Sequence, residues 1–402
     1  MRVQRIEWIV LSALSLLSLA LQAAFTTADF QGADAVTHLE FARQGQDFSY
    51  WLDPTAFNGN YFPMGYGSFL ALMMKFSGGS TVPVQILQLA LGVGLAWLAW
   101  IMLRPLGSLI RVLTFTTIAF SPAVIAMSSQ NGYEIILAFC IMSALTVSLL
   151  IRDHRIFTPK GRKSGLIYVG LALGLGALFQ FKILVLIPVL LFILWNQSIK
   201  SRIWFLAISI APTAMWALRN KYVLDTWNPS STNSGMSLWL GNNWDATNGE
   251  LLVKPPPLPP QFSSFYEASL NFLITQPEKA YGLQLRKIGR LLEPNYLYPQ
   301  WKIIPGQEVL IQYVLIGMSA FTVLLFAAFL FGRLWVSPPQ IPPVGFQALL
   351  VTVFFTMQLP FLAEQRYTGP VVPIALTVAI PTLIYLARRW KGSLALPPRS
   401  GV

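Results

Sequence analysis

The sequence predicts an all-α polytopic membrane protein that crosses the bilayer about ten times. Hydrophobic residues make up 54% of its 402 residues, and the mean hydropathy is +0.57. Apolar runs of about 20 residues recur along the chain, and this is the length that a helix needs to cross a bilayer. Acidic residues are scarce, with only 16 Asp and Glu in the whole chain. A soluble core could not cover so much apolar surface, so the sequence indicates a membrane protein.

The predicted spans follow one another from the N-terminus. The first apolar run comes after the basic residues Arg2 and Arg5, and it exceeds the roughly 7–15 apolar residues of a signal peptide. We therefore interpret it as a retained helix rather than a cleaved signal. The run at 183–196 is short, and with 164–181 it can form one helical hairpin. The ten spans are residues 6–28, 83–103, 109–129, 133–151, 164–181, 183–196, 202–218, 309–331, 345–362 and 369–387.

The charges predict which ends of the spans face the cytoplasm. With the N-terminus inside, 16 of the 28 basic residues fall in short inner connections, as the positive-inside rule expects. Both termini are then cytoplasmic and the membrane is the inner, cytoplasmic one. The net charge of +12 therefore reflects topology rather than binding of nucleic acid. Among the acids only Glu7 and Asp153 lie inside, and the other fourteen indicate a functional site on the outer, periplasmic face.

Two outer segments are too long to be simple connections. Residues 29–82 contain two stretches, 36–43 and 62–75, that are typical of juxtamembrane helices lying at the interface. Residues 219–308 contain an extended Pro-rich tract at 255–260 and a predicted helix at 265–292. The sequence thus divides into an N-terminal transmembrane module (1–218), an outer segment (219–308) and C-terminal spans with a short tail (309–402).

Asp34 is the first candidate for chemistry, because it follows the first span directly. A carboxylate there can accept a proton from a substrate hydroxyl. His38 lies four residues later, so a helix would place both on one face. Asp is also a favoured helix N-cap, and capping and catalysis remain equally open. Glu134, at the start of the fourth span, is a second carboxylate, although an acid in a first helical turn also satisfies the helix dipole.

Three cations stand where the topology does not require them. Lys182 interrupts an apolar stretch, and a lysine at membrane depth needs a partner or ligand unless it reaches the interface. Arg219 and Arg366 lie on the outer side. Basic residues there, near carboxylates, suggest an anionic ligand such as a phosphate, and structural pairs such as Lys221 with Asp225 are the alternative.

The sequence gives little indication of a metal or cofactor site. The single cysteine, Cys140, lies in an apolar run, so neither an intramolecular disulfide nor a thiolate cluster can form. Neither the HExxH motif nor a phosphate-binding P-loop is present. We expect no required cofactor, with a divalent cation near Asp34 and Glu134 as the alternative.

Five places along the chain together resemble the GT-C superfamily of membrane glycosyltransferases. The similarity is to family 39, which contains protein O-mannosyltransferases and aminoarabinose transferases. The most specific of the five is the run from Trp216 through Arg219 and Asn220 to Asn242, Asn243 and Gly249. The others are Asp34 with His38, the segment 62–66, Glu134, and the segment 364–367 with the prolines that follow it.

The resemblance implies an inverting transferase that takes a sugar from a polyprenyl-phosphate carrier. Asp34 would then be the general base and Glu134 a second carboxylate, while Arg219 and Arg366 would contact the phosphate. The acceptor would be a lipid, a glycan or a protein. Further substrate contacts are expected from His38, Lys182, Asn242, Asn243 and Tyr367. The chain departs from the family where Ala35 replaces a second acid, and where Phe62 and Lys182 replace expected basic residues.

Two other classes of protein fit the spans. A lipid or solute transporter, such as a flippase, would place ionisable groups near the bilayer midplane, where only Lys182 qualifies. A scaffold for an envelope assembly would explain the outer segments but not the pairing of cations with carboxylates.

Overall fold

A computed structural model describes residues 2–26, 33–56, 63–153, 158–231, 233–246, 256–292, 342–361 and 368–390. Within these ranges every long regular element is a helix, which confirms the predicted fold class. The α-helices are α1 (Arg2–Ala24), α2 (Ala33–Gln44), α3 (Met64–Phe76), α4 (Val82–Met102), α5 (Ser108–Ala119), α6 (Pro122–Ser129), α7 (Glu134–Arg152), α8 (Pro159–Phe179), α9 (Ile187–Ile193), α10 (Ile199–Leu224), α11 (Asn233–Gly241), α12 (Phe265–Thr275), α13 (Pro277–Leu292), α14 (Pro342–Thr356) and α15 (Val372–Trp390).

Five predicted spans coincide with helices that are long and apolar enough to cross a membrane, namely α1, α4, α7, α8 and α10. The span predicted at 109–129 is instead two helices, α5 and α6, bent by 46°. Pro122 explains the break, because proline disfavours the helical conformation of the residue before it. The 183–196 run forms a 3₁₀ helix (Phe181–Leu186) followed by the short α9. The spans predicted at 345–362 and 369–387 contain shorter apolar helices, Gly345–Thr356 and Gly369–Ile384, and 309–331 lies outside the described residues.

The spans pack around α7 and α8. Most residues of these two helices are buried, whereas α1 and α10 expose most of theirs, as expected of helices that face lipid. The helix α10 lies along α8, α8 lies along α7, and α4 packs against both α5 and α7. Small residues allow the close contacts, since a Cβ at Gly174 would lie 2.9 Å from Pro212 of α10. These contacts confirm a multi-pass membrane protein.

The outer segments form helices as predicted, with one difference. The two stretches predicted to be helical, 36–43 and 62–75, are helices α2 and α3, which pack against each other. The helix predicted at 265–292 is broken at Gln276 into α12 and α13. Pro277 again accounts for the break.

One end of the helix bundle gathers most of the polar residues discussed below. Ala42 of α2 and Tyr66 of α3 pack with Val84 at the start of α4 and Phe179 at the end of α8. The start of α7 reaches the same cluster through Tyr133. This end is the one that the sequence predicts to face outward, and α2 and α3 lie across it.

Candidate functional site

Asp34 and His38 stand one helical turn apart at the beginning of α2. Asp34 lies in the first turn of that helix and is partly buried, while His38 is buried with 4% of its surface exposed. Since residues four apart share a face, the predicted pairing on one side of the helix is present. Asp34 is one residue inside the helix rather than before it, so it is placed to interact with the helix dipole as well as with a ligand.

The His38 ring enters an aromatic cluster. Its centroid lies 5.4 Å from that of Tyr66 and 6.3 Å from that of Tyr133, with both pairs edge to face. Tyr133 in turn lies 6.5 Å from Phe179 at the end of α8. The rings of Tyr66, from α3, and of Tyr133, at the start of α7, therefore hold the imidazole of α2. Lys182 follows Phe179 by three residues along the chain.

Glu134 opens α7, as predicted, and its carboxylate bends back over the preceding turn. A Cβ at Gly132 would collide with that carboxylate, so a larger residue here would displace the Glu134 side chain. The turn is held to α4 by Gln88, whose amide donates to the Gly132 carbonyl. Burial and the charge of Glu134 raise the pKa of Tyr66 above its usual value. Tyr66 therefore remains a protonated hydroxyl beside the carboxylate.

A second polar cluster contains two lysines. Lys182 Nζ donates to Gln358 Oε1 at 3.2 Å and lies 3.9 Å from the centre of the Phe361 ring. Lys287 Nζ donates to Leu359 O at 2.9 Å and to Asn242 Oδ1 at 3.2 Å. The two ammonium groups thus approach the turn at 358–361 from different helices.

Lys287 was missed as a site residue by the sequence analysis, although a signal was present. Ala280, Leu283 and Leu291 form the buried stripe of α13, and Lys287 occupies the stripe position between them, fully buried. Burial and the nearby Lys182 lower the pKa of Lys287 to about 7. A lysine on the apolar face of a helix is unusual and indicates a polar environment built for it.

The two asparagines of the most specific sequence motif have different contacts. Asn242 connects the elements of the second cluster, since its Oδ1 accepts from both Lys287 and Gln284 and its amide donates to the carbonyl of Pro360. Asn243 instead closes the end of its own helix. Its side-chain Nδ2 donates to Trp239 O at 2.9 Å, and its side-chain Oδ1 accepts from the backbone N–H of Asp245. These contacts give Asn243 a structural role.

Arg219 lies against the first outer segment rather than beside Lys182. Its Nε donates to Trp51 O at 2.7 Å, and its Nη2 donates to Asp53 O at 3.0 Å. The remaining terminal nitrogen donates to Asn220 Oδ1 at 3.0 Å. These hydrogen bonds fasten the segment after α2 to the end of α10, a geometry that differs from the predicted phosphate contact. Arg366 and Tyr367 lie outside the described residues.

The arrangement offers acid–base chemistry at one side and anion binding at the other. Asp34, His38 and Glu134 provide carboxylates and an imidazole around Tyr66. Lys182 provides a cation three residues after Phe179 in the chain. Throughout the part of the chain that the structure describes, no three His, Cys, Asp or Glu side chains come together as metal ligands.

Comparison with known proteins identifies part of this arrangement. Residues 62–216 match the family model described as dolichyl-phosphate-mannose-protein mannosyltransferase. The resemblance to GT-C glycosyltransferases is thereby confirmed. The matched part contains Tyr66, Glu134 and Lys182, whereas Asp34 precedes it and Asn242 follows it. Among curated proteins, none matches the chain.

One solved structure resembles the whole chain. It is the archaeal oligosaccharyltransferase AglB from Archaeoglobus fulgidus, in complex with an inhibitory peptide and a dolichol-phosphate. The two chains are 13% identical, and the TM-score is 0.49 over 99% of this chain. This chain spans about half the length of that structure, 53%.

Proposed function

We propose that this protein is an inverting glycosyltransferase that moves a sugar from a polyprenyl-phosphate carrier to an acceptor at the outer face of the cytoplasmic membrane. The observation that carries the proposal is that the two carboxylates, Asp34 and Glu134, flank one cluster of rings. Asp34 stands one turn before His38 on α2, His38 packs against Tyr66, and the charge of Glu134 acts on Tyr66. Phe179 packs against Tyr133 of the same cluster, and Lys182 follows Phe179 by three residues. The match of residues 62–216 to a family of lipid-phosphate-sugar-dependent enzymes supports the same conclusion.

In the proposed reaction an acceptor oxygen attacks the anomeric carbon of the sugar. The bond between that carbon and the phosphate oxygen breaks, and its electron pair stays on the phosphate. Asp34 takes the acceptor proton, a contribution of roughly 10²–10⁴-fold when base and acceptor are within hydrogen-bonding distance. Attack from the side opposite the phosphate inverts the anomeric configuration.

Lys182 supports the departure of the phosphate. Charge develops on the leaving oxygen as the bond breaks, and a fixed cation in a water-poor site stabilises that charge. Lys182 is partly exposed whereas Lys287 is fully buried, so we place the phosphate beside Lys182. The buried His38 and Tyr66 rings keep the carboxylate side of the site ordered. The lipid-facing surfaces of α1 and α10 leave room for the prenyl chain in the surrounding bilayer.

The acceptor is a lipid, a glycan or a protein, and one experiment distinguishes these. Lipid extracts and envelope glycans are compared by mass spectrometry in cells that lack the gene, carry it, or carry Asp34→Asn. We expect a polyprenyl-phosphate sugar to accumulate, and one glycan or protein to lose a residue, in both the deletion and the Asp34→Asn strain. The variant protein should be expressed and melt near the wild-type temperature.

Two results would contradict the proposal in different ways. If Asp34→Asn restores the wild-type profile, Asp34 serves only the helix dipole. If the deletion changes no lipid-linked sugar or glycan, the transporter alternative gains, and uptake or flipping in vesicles becomes the relevant assay.

A further inference from the structure

The paired lysines at the 358–361 turn have a consequence for the charge of the bound phosphate. Lys287 lies behind Lys182: the former is fully buried, while the latter is partly exposed. Lys287 donates to Leu359 O and Lys182 donates to Gln358 Oε1, so both lysines reach the same turn. They are close enough that the positive charge of Lys182 acts on Lys287.

Lys287 is costly for the fold. A buried ammonium loses its hydration, and a second cation nearby adds repulsion. The hydrogen-bond acceptors that the structure gives it are neutral, a carbonyl and the Asn242 amide oxygen. Glu7 pairs with Arg111 and Asp225 pairs with Lys221, and neither pair includes Lys287. Leucine would complete the apolar stripe of α13 without this cost.

We propose that Lys287 and Lys182 together make a phosphate pocket selective for the doubly charged leaving group, with Lys182 in contact with the phosphate and Lys287 acting from behind it. The inference rests on the proposed function. The donor is a phosphodiester with one negative charge. The released polyprenyl phosphate is a monoester, whose second pKa is near 6, so it carries close to two charges at neutral pH.

A pocket with two cations therefore stabilises the phosphate more as the sugar leaves than before. Interactions that strengthen only in the transition state raise kcat rather than lower KM. The pKa of Lys287 is about 7 before a phosphate binds, and the negative charge of a bound phosphate raises that pKa, so phosphate binding favours the protonated lysine. Lys287 then contributes through the field of its charge, which is little screened in a buried position. Lys287 therefore acts on the phosphate without touching it, whereas Lys182 contacts the phosphate directly.

Binding tests this without knowledge of the sugar or the acceptor. The full-length protein is placed in nanodiscs of neutral lipid at pH 7.5, with two probes: a polyprenyl monophosphate and its monomethyl ester, which carries one charge. We expect the wild type to prefer the monophosphate roughly tenfold or more, and Lys287→Gln to lose most of that preference. Lys287→Arg, which keeps the charge, should retain it.

The matched control is Lys279→Gln, since Lys279 lies on the same helix, is exposed and donates to a backbone carbonyl. Its preference should equal that of the wild type. If Lys287→Gln does not fold, Lys287→Met takes its place, because an apolar chain suits the buried stripe. An unchanged preference in a folded Lys287 variant overturns the inference. If neither probe binds the wild type, the proposed function itself fails.

Discussion

Gly65 offers a sharp test of how α3 positions the site. A Cβ added at this residue would lie 2.5 Å from the carbonyl carbon of Leu178 and 2.6 Å from the backbone nitrogen of Phe179. Ordinary contact begins near 3.4 Å, so Gly65→Ala requires α3 and the end of α8 to separate by about 0.9 Å. Backbone atoms cannot rotate away as a flexible side chain can.

The expected cost follows from these contacts. Overpacking in a well-packed core typically costs about 1–3 kcal/mol. The better helix propensity of alanine returns at most about 1 kcal/mol. Because the clash is with backbone atoms, the overpacking cost lies in the upper part of that range, and we expect a net destabilisation of about 1–2 kcal/mol, with an apparent Tm a few degrees lower in detergent. Transfer activity should fall as well, since Phe179 packs against Tyr133 in the cluster that holds His38.

Thermal unfolding followed by intrinsic fluorescence measures the effect. Gly289→Ala is the matched control, because a Cβ there meets nothing within 4 Å and Gly289 also lies in a helix, α13. This control should melt at or slightly above the wild-type temperature. If Gly65→Ala melts no lower than the wild type, the close approach of α3 to α8 is not present in the protein.

Two further predictions concern the outer segment and the buried lysine. Arg219→Met should speed amide hydrogen exchange in residues 48–53 by about tenfold, because the two hydrogen bonds from Arg219 to that segment are lost. Lys221→Met, on the same helix, is the control and should leave that exchange unchanged. Equal exchange in both variants would refute the role of Arg219 in holding the segment. The pKa of Lys287 is about 7 in the folded protein and near 10.4 in the unfolded chain. Between these two pH values the unfolded chain binds more protons than the folded protein, so the stability of the fold rises with pH. The Tm of the ligand-free wild type should therefore increase from pH 7 to pH 9, and Lys287→Met should flatten this increase; an identical slope in both proteins would contradict the assignment.

Much of the helical architecture could be predicted because it depends on local sequence. An apolar run of sufficient length forms a spanning helix wherever it lies, so the spans at 83–103 and 133–151 were confirmed within one residue or two. The helix that carries Asp34 and His38 and the acid at the start of α7 were likewise confirmed. The breaks before Pro122 and Pro277 were missed, although proline marked both positions.

The partners of the charged residues could not be predicted, because they come from distant parts of the chain. Arg219 and Trp51 are 168 residues apart in sequence, and Lys182 and Gln358 are 176 apart. Nothing local indicates which of several outer cations will meet a backbone carbonyl and which will meet another cation. Arg219 appeared to suit a phosphate, yet its hydrogen bonds hold the segment at 48–53.

The sequence by itself determined that this chain crosses a membrane and that Asp34, His38 and Glu134 lie at one end of the spans. Apolar length and helical spacing are sufficient for both conclusions. Only the tertiary structure decided that Lys182 and Lys287 both donate hydrogen bonds at the turn at 358–361, and that Phe179 packs with the rings of the His38 cluster. Those relations depend on how α8, α13 and the turn at 358–361 pack together, and packing depends on the shapes of side chains that are far apart in sequence.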